Sequence, residues 1–257
     1  MFQSETEGSL TRDSKWRKKI NLGPAVDALD KLGVKADELT IFGGILAVAG
    51  AVWAYEQNKP DRKEQKILGP VVAMVLGITT DLLDGSLARK QGNDPNRGQL
   101  VDVITDRISA IARALLRAET AGQRNNKWGQ TAALGEAITL TLPSLAKAIV
   151  GSKGVWVPEN GRGPGVLGTQ APRTILEVVA AAAPSLQPPI DTALTLGNVF
   201  STVDRIQMGR EKNPRRLSQD DIDRAHTRKK YLEGLLVIGL TAAAGYIIGG
   251  KIRDRNK

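Results

Sequence analysis

Six stretches of this chain carry no charged side chain: residues 40–55, 67–80, 137–146, 178–190, 192–203 and 234–250. A helix needs about 20 mostly apolar residues to cross a bilayer, with about 17 as the lower limit. Several of these blocks reach that length once their polar ends are counted in. The first block repeats small residues at helix-contact spacing: Gly43, Gly44, Ala47, Ala49, Gly50 and Ala51. Close backbone approach through small residues is how helices pack in lipid. Averaged over the chain the pattern vanishes, because mean hydropathy is only −0.20. A soluble all-α protein with Ala- and Gly-rich buried helices is the plainer alternative. The block pattern favours an all-α integral membrane bundle whose polar intrusions line a cavity.

The coarse map places helices near 38–57, 64–89, 98–121, 128–150, 168–184, 188–207 and 230–250. Residues 151–167 read as a Gly/Pro loop and 208–229 as a charged connector. Residues 1–19 are polar and end in Lys15, Arg17, Lys18 and Lys19, with no apolar run behind them, so no cleaved signal peptide is expected. Ile20, Leu22, Val26, Leu29, Leu32 and Val34 then recur among charges, which suits a short amphipathic helix at an interface.

Composition narrows the chemistry. The 257 residues contain no Cys and one His, so thiolate sites, Cys nucleophiles and multi-His metal sites are excluded. His226 sits in the charged connector and reads as an exposed bystander. Lys plus Arg exceed Asp plus Glu by 36 to 27, a net charge of +9. Such an excess points to phosphate-rich partners or an anionic membrane surface. Aromatic residues are only 4%. With the uncharged block at 234–250, that argues against nucleic acid as the partner.

One segment concentrates the chemistry. It reads Asp81-x2-Asp84-Gly85-x2-Ala88-Arg89-x8-Gly98-x3-Asp102-x3-Asp106. Asp81, Asp84, Gly85 and Ala88 fall at i, i+3, i+4 and i+7, so they share one helix face. Gly98, Asp102 and Asp106 share a face on the next helix. A polar turn between them lets the two helices run antiparallel, so four carboxylates converge. They cannot all stay ionised without cations. With no His or Cys at hand, hard oxygen ligands suit Mg²⁺, Mn²⁺ or Ca²⁺. Gly85 and Ala88 leave their face bare for a flat ligand, and Arg89 offers a fork suited to phosphate. The bland reading is a solvated acidic helix–turn–helix. Against it, these Asp residues cap apolar runs rather than extend a polar face.

The segment resembles the signature of the CDP-alcohol phosphatidyltransferases, integral membrane enzymes of phospholipid synthesis, at all eight positions. That resemblance implies six transmembrane helices, a homodimer, an N-terminal interfacial helix over about residues 14–36, and a motif facing the cytosol across the second and third helices. The implied layout divides the chain into a basic and amphipathic N-terminal segment (1–36), the membrane domain (37–207), and a connector with an extra C-terminal hydrophobic helix (208–257). It further implies that Asp81, Asp84, Asp102 and Asp106 hold Mg²⁺ or Mn²⁺. Gly85, Ala88 and Arg89 would contact the CDP moiety of CDP-diacylglycerol or a similar CDP-lipid. Asp106 would be the general base on the acceptor hydroxyl, and CMP would leave.

The stretch 24–50 and Thr105-Asp106-Arg107-Ile108 look like the phosphatidylinositol phosphate synthase branch, whose acceptor is inositol 1-phosphate. Lys147, Arg173 and Arg205 are the positions that would bind the acceptor's phosphate in a basic pocket. Such a pocket suits any phosphorylated polyol, and glycerol 3-phosphate stands as the alternative acceptor. A non-catalytic lipid-binding protein on the same scaffold would be expected to have lost one of the four Asp residues, and none is lost. Arg113 and Arg117 share a face of the third helix and need acidic groups, phosphates or a subunit contact. The basic connector suits a cytosolic, multi-pass topology. Lys59, Arg62, Lys63 and Lys66, on the expected outer side, resist it. So do Lys251, Arg253, Arg255 and Lys257, if the last helix spans.

Overall fold

A computed structural model describes residues 22–59, 61, 66–92, 95–157, 170–211 and 216–255. The basic run before residue 20, Arg62 and Lys63, and most of the 151–167 loop lie outside the described residues. Among the described residues the protein is all helical, apart from one isolated bridge between Val155 and Arg216. In chain order the helices are α1 (Gly23–Lys31), α2 (Ala36–Gln57), α3 (Leu68–Gln91), α4 (Pro95–Gln123), α5 (Lys127–Thr139), α6 (Leu142–Ser152), α7 (Gln170–Ala182), α8 (Gln187–Met208) and α9 (Gln219–Arg255).

Small residues set the tightest contact. A methyl group added at Gly43 would strike Thr80 Oγ1 and the Gly77 carbonyl, and one at Gly77 would strike the Gly43 carbonyl. One at Gly50 would meet Met74 and the Pro70 carbonyl. Pairing 43 with 80 and 50 with 70 makes α2 and α3 antiparallel, backbone to backbone. The neighbouring glycine, Gly44, faces the other way, and a methyl there would strike Thr105 and Ser109 of α4. α2 is thus wedged between α3 and α4, which touch each other only sparsely.

The single helix expected over 128–150 is broken. α5 ends at Thr139 and α6 begins at Leu142, with Pro143 in its first turn. Proline has no N–H and its ring clashes with the carbonyl four residues back, so it fits a first turn and not a helix interior. α9 begins earlier than expected and absorbs half of the connector. Ser218 Oγ accepts from the Asp221 N–H at 3.3 Å, and Asp220 and Asp221 occupy the first turn. A hydroxyl cap followed by acidic residues is a helix start.

α9 lies along α4 and the α5–α6 pair. Ala225 meets Gly151, Gly239 meets the Ala137 carbonyl, and Tyr246 Oη accepts from Gln130 Nε2 at 3.0 Å. It therefore runs antiparallel to α5–α6 and packs over their whole length.

The distribution of polarity is inverted relative to a water-soluble protein. Phe42 is 56% exposed, and Ile45, Val72, Phe200, Ile238 and Ile248 also face outward. Arg113, Arg117, Glu136, Glu177 and Asp191 are inside. Apolar faces outward and paired charges inward suit a lipid surround. Three helical stretches among the described residues are long and apolar enough to cross a membrane: Ala36–Gln57, Lys127–Ser152 and Gln219–Ile248.

Candidate active site

The site lies where the N-terminal ends of α2, α4 and α7 meet the C-terminal ends of α3, α6 and α8. α3 is fixed in rotation by Leu87, fully buried with Val26, Ala36 and Leu39. That register turns Asp84 toward α2, where it is buried and accepts the Thr40 hydroxyl on Oδ2; its Oδ1 accepts from the Gly85 N–H. Asp102 and Asp106 stand half-buried on α4, beside the Thr105 that crowds Gly44. The two halves of the motif thus flank the first two turns of α2 at one level.

The side chain of Asp81 lies outside the described residues. Among the described residues no three carboxylate or imidazole side chains stand close enough to hold a metal ion. The donor chemistry fits a hard divalent cation: carboxylate oxygens from two helices, in a chain with no Cys and one exposed His.

The face beside these carboxylates is open. Among the described residues, a methyl added at Gly85 would approach only Arg89 Nη1, at 3.8 Å, and one at Gly98 would meet nothing within 4 Å. Arg89 is exposed, and its Nη2 donates to Ser86 Oγ at 3.1 Å.

The basic side is built by α4, α7 and α8. Arg107 donates from Nη1 to the Leu140 carbonyl at 3.0 Å and from Nη2 to Ser144 Oγ at 2.8 Å, so it bridges the break between α5 and α6. Asp106 feels the charges of Arg173, Arg107 and Arg113; Arg107 feels Arg173, Arg205 and Asp102. Arg173 and Arg205, two of the three expected phosphate ligands, lie within electrostatic reach of Arg107, and Arg173 also of Asp106. Both are buried. Lys147 is half-buried on α6, one turn beyond the Ser144 that Arg107 holds.

Arg113 and Arg117 find acidic partners inside the bundle. Arg113 donates Nε and Nη2 to Glu177 Oε2 at 2.7 and 2.6 Å. Arg117 pairs with Glu136 of α5, and its Nε lies 2.9 Å from Asp191 Oδ1 of α8. Acidic groups are one of the three kinds of partner that the sequence leaves open for these arginines, without naming which residues. A signal existed: Glu136, Glu177 and Asp191 each stand directly beside an uncharged block, where an ionised group must be paired. Thr40, the partner of Asp84, carried no comparable signal.

Fold and site define a helical membrane protein with a carboxylate and guanidinium centre at one end. Residues 34–203 match the model of the CDP-alcohol phosphatidyltransferase family, and the chain belongs to that enzyme family. A phosphatidylinositol phosphate synthase of Mycobacterium marinum is 32% identical over 87 residues, 34% of this chain and 34% of that protein. The match thus spans about a third of the curated relative's length. The fold is similar to crystal structures of Mycobacterium tuberculosis phosphatidylinositol phosphate synthase. The one with CDP-diacylglycerol bound has a TM-score of 0.56 at 23% identity, covering 72% of this chain and 89% of that one. The one with manganese and citrate has a TM-score of 0.58 at 22% identity, covering 72% and 86%.

Proposed function

We propose that this protein transfers the phosphatidyl group of CDP-diacylglycerol, or a similar CDP-lipid, to the hydroxyl of a phosphorylated polyol such as inositol 1-phosphate, releasing CMP. The observation that carries the reading is that buried Arg173 lies within electrostatic reach of Asp106, and both it and buried Arg205 within reach of the adjoining Arg107. An acid beside three guanidiniums suits a reaction in which a phosphate is held while a neighbouring hydroxyl loses its proton. The manganese and CDP-diacylglycerol complexes of the mycobacterial enzyme lend support to a metal-dependent CDP-lipid reaction.

In this reading the CDP moiety lies over Gly85 and Ala88, with Arg89 on its phosphates. Arg173, Arg205 and Lys147 hold the acceptor phosphate. The acceptor hydroxyl gives its proton to Asp106 as its oxygen bonds to the β-phosphorus, and the bond from that phosphorus to CMP breaks. Asp81, Asp84, Asp102 and Asp106 would hold Mg²⁺ or Mn²⁺, whose charge would neutralise the negative charge on the departing CMP. The motif end faces the cytoplasm of a multi-pass cell-membrane protein, residues 37–207 form the catalytic membrane domain, and two chains form a homodimer.

The test is CMP release by purified protein from CDP-diacylglycerol with Mg²⁺, across inositol 1-phosphate, glycerol 3-phosphate and unphosphorylated inositol. Turnover with inositol 1-phosphate alone is expected. Turnover with glycerol 3-phosphate alone reassigns the acceptor. No metal-dependent CMP release with any acceptor overturns the reading.

A further inference from the structure

Arg173 and Glu177 lie one turn apart on α7, and both are sealed from solvent at 1% and 0% exposure. Glu177 uses its two oxygens differently. Oε2 takes both donors of Arg113, and Oε1 lies 3.2 Å from Arg173 Nε. One carboxylate thus holds two guanidiniums, one from α4 and one from its own helix. That second contact is an ion pair and not a hydrogen bond: Arg173 Nε and Nη1 are both buried and have no hydrogen-bond partner among the described residues.

We propose that Glu177 is a positioning residue. Its charge holds the Arg173 guanidinium in place by an ion pair, leaving the unsatisfied N–H groups of Arg173 for the acceptor's phosphate, and Arg113 holds Glu177 in turn. The proposal rests on the acceptor-pocket reading given above. Three arguments carry it. Buried guanidinium N–H groups are satisfied almost without exception, so a bare one beside a reaction site marks the place of a ligand oxygen. Charge is the second. Glu177 alone would neutralise Arg173, but Arg113 cancels Glu177, and the three groups together display one positive charge toward Asp106. Rigidity is the third. Arginine has a long flexible stem, and an ion pair that confines its guanidinium before binding lowers the ordering cost of the binding step.

The experiment uses the full-length protein in detergent or nanodiscs. The probes are CDP-diacylglycerol, whichever of inositol 1-phosphate and glycerol 3-phosphate the wild type turns over, and inorganic phosphate as competitor. Glu177→Gln is expected to raise the acceptor KM and the phosphate inhibition constant about tenfold, while the CDP-diacylglycerol KM stays within about twofold. Glu177→Asp keeps the charge but withdraws it by one methylene; it is expected to raise the same two constants by about threefold, and it decides the matter if the Gln variant does not fold. Unchanged acceptor constants in either folded variant, or an equal rise for both substrates, overturn the proposal. Arg173→Ala separates the two levels. If it raises the acceptor KM while the Glu177 variants do not, only the positioning role falls. If it leaves the acceptor KM unchanged, the pocket reading itself falls.

Discussion

Arg117 and Arg173 are both buried guanidiniums held by carboxylates, but they are held differently. Arg117 sits between Glu136 and Asp191, and Gln187 Nε2 donates to both Asp191 and the Arg117 carbonyl. Three helices, α4, α5 and α8, are tied together there, with two acids on one base. Arg173 has one shared acid and a bare Nη1. Removing ions from water is costly, and a protein recovers that cost by pairing them completely. The Arg117 cluster comes close to that rule, with Glu136 Oε1 left without a hydrogen-bond partner among the described residues, and reads as scaffold. The Arg173 cluster departs from it at the same end of the bundle as the aspartate motif, and reads as a place for a ligand.

The largest effect belongs to the reacting end. Asp106→Asn keeps the shape of the side chain and removes its capacity to take a proton. Transfer is expected to fall about 10²–10⁴-fold with the melting temperature nearly unchanged. Asp84→Asn, or chelation of divalent metal, should also abolish CMP release. Near-normal turnover in Asp106→Asn would move the base elsewhere.

The scaffold end should respond the other way. Arg117→Met strands Glu136 and Asp191 in the interior, a change that costs about 3–5 kcal/mol when one partner of a buried pair is removed. Melting in detergent should drop steeply, while the fraction that stays folded keeps both Michaelis constants. A loss of acceptor affinity at unchanged stability would erase the distinction between the two clusters.

Between these lies Arg173→Ala. It removes one or two charge-assisted bonds to the acceptor phosphate, at about 1.5–3 kcal/mol each, so the acceptor KM should rise about ten- to a hundredfold. The CDP-lipid constant should hold, because in the proposed reading that substrate is bound by Arg89 and the metal and not by Arg173.

What the sequence made legible follows the same division. Motif residues close in the chain are readable from spacing, because helical periodicity alone puts Asp84 with Ala88 on one face and Asp102 with Asp106 on another. Among the described residues little stands within reach of a methyl at Gly85 or Gly98. Pairs far apart in the chain were not readable. Arg113 and Glu177 are 64 residues apart, and Arg117 and Asp191 are 74 apart. Such contacts depend on how helices stack, which no local pattern encodes. The break at residues 140–141 was visible in Pro143. It was masked by the apolar run around it, which by itself reads as one continuous span.

The smallest expected effect concerns the clasp between α1 and the end of α3. Lys90 Nζ lies 2.8 Å from Asp27 Oδ1 and 3.1 Å from Asp30 Oδ2, and Gln91 Nε2 donates to Asp30 Oδ1 at 3.2 Å. The hydrogen bond from Lys90, then that from Gln91, holds the Asp30 carboxyl below its ordinary value of 3.8. A depressed acid stabilises the fold fully above its unfolded value, and that contribution fades as pH falls through the lower folded value. Asp30→Asn should therefore melt slightly below wild type at neutral pH. The gap should close on acidification below about pH 4, and high salt should narrow it, since the pair is exposed and screened. Gln91 also donates to the Val34 carbonyl at 2.8 Å and accepts from the Ala36 N–H at 3.2 Å. Neutral bonds thus keep α1 in place when the charges are gone, and neither Michaelis constant should move. A gap that persisted unchanged at acid pH would show that Asp30 acts through shape and not through charge.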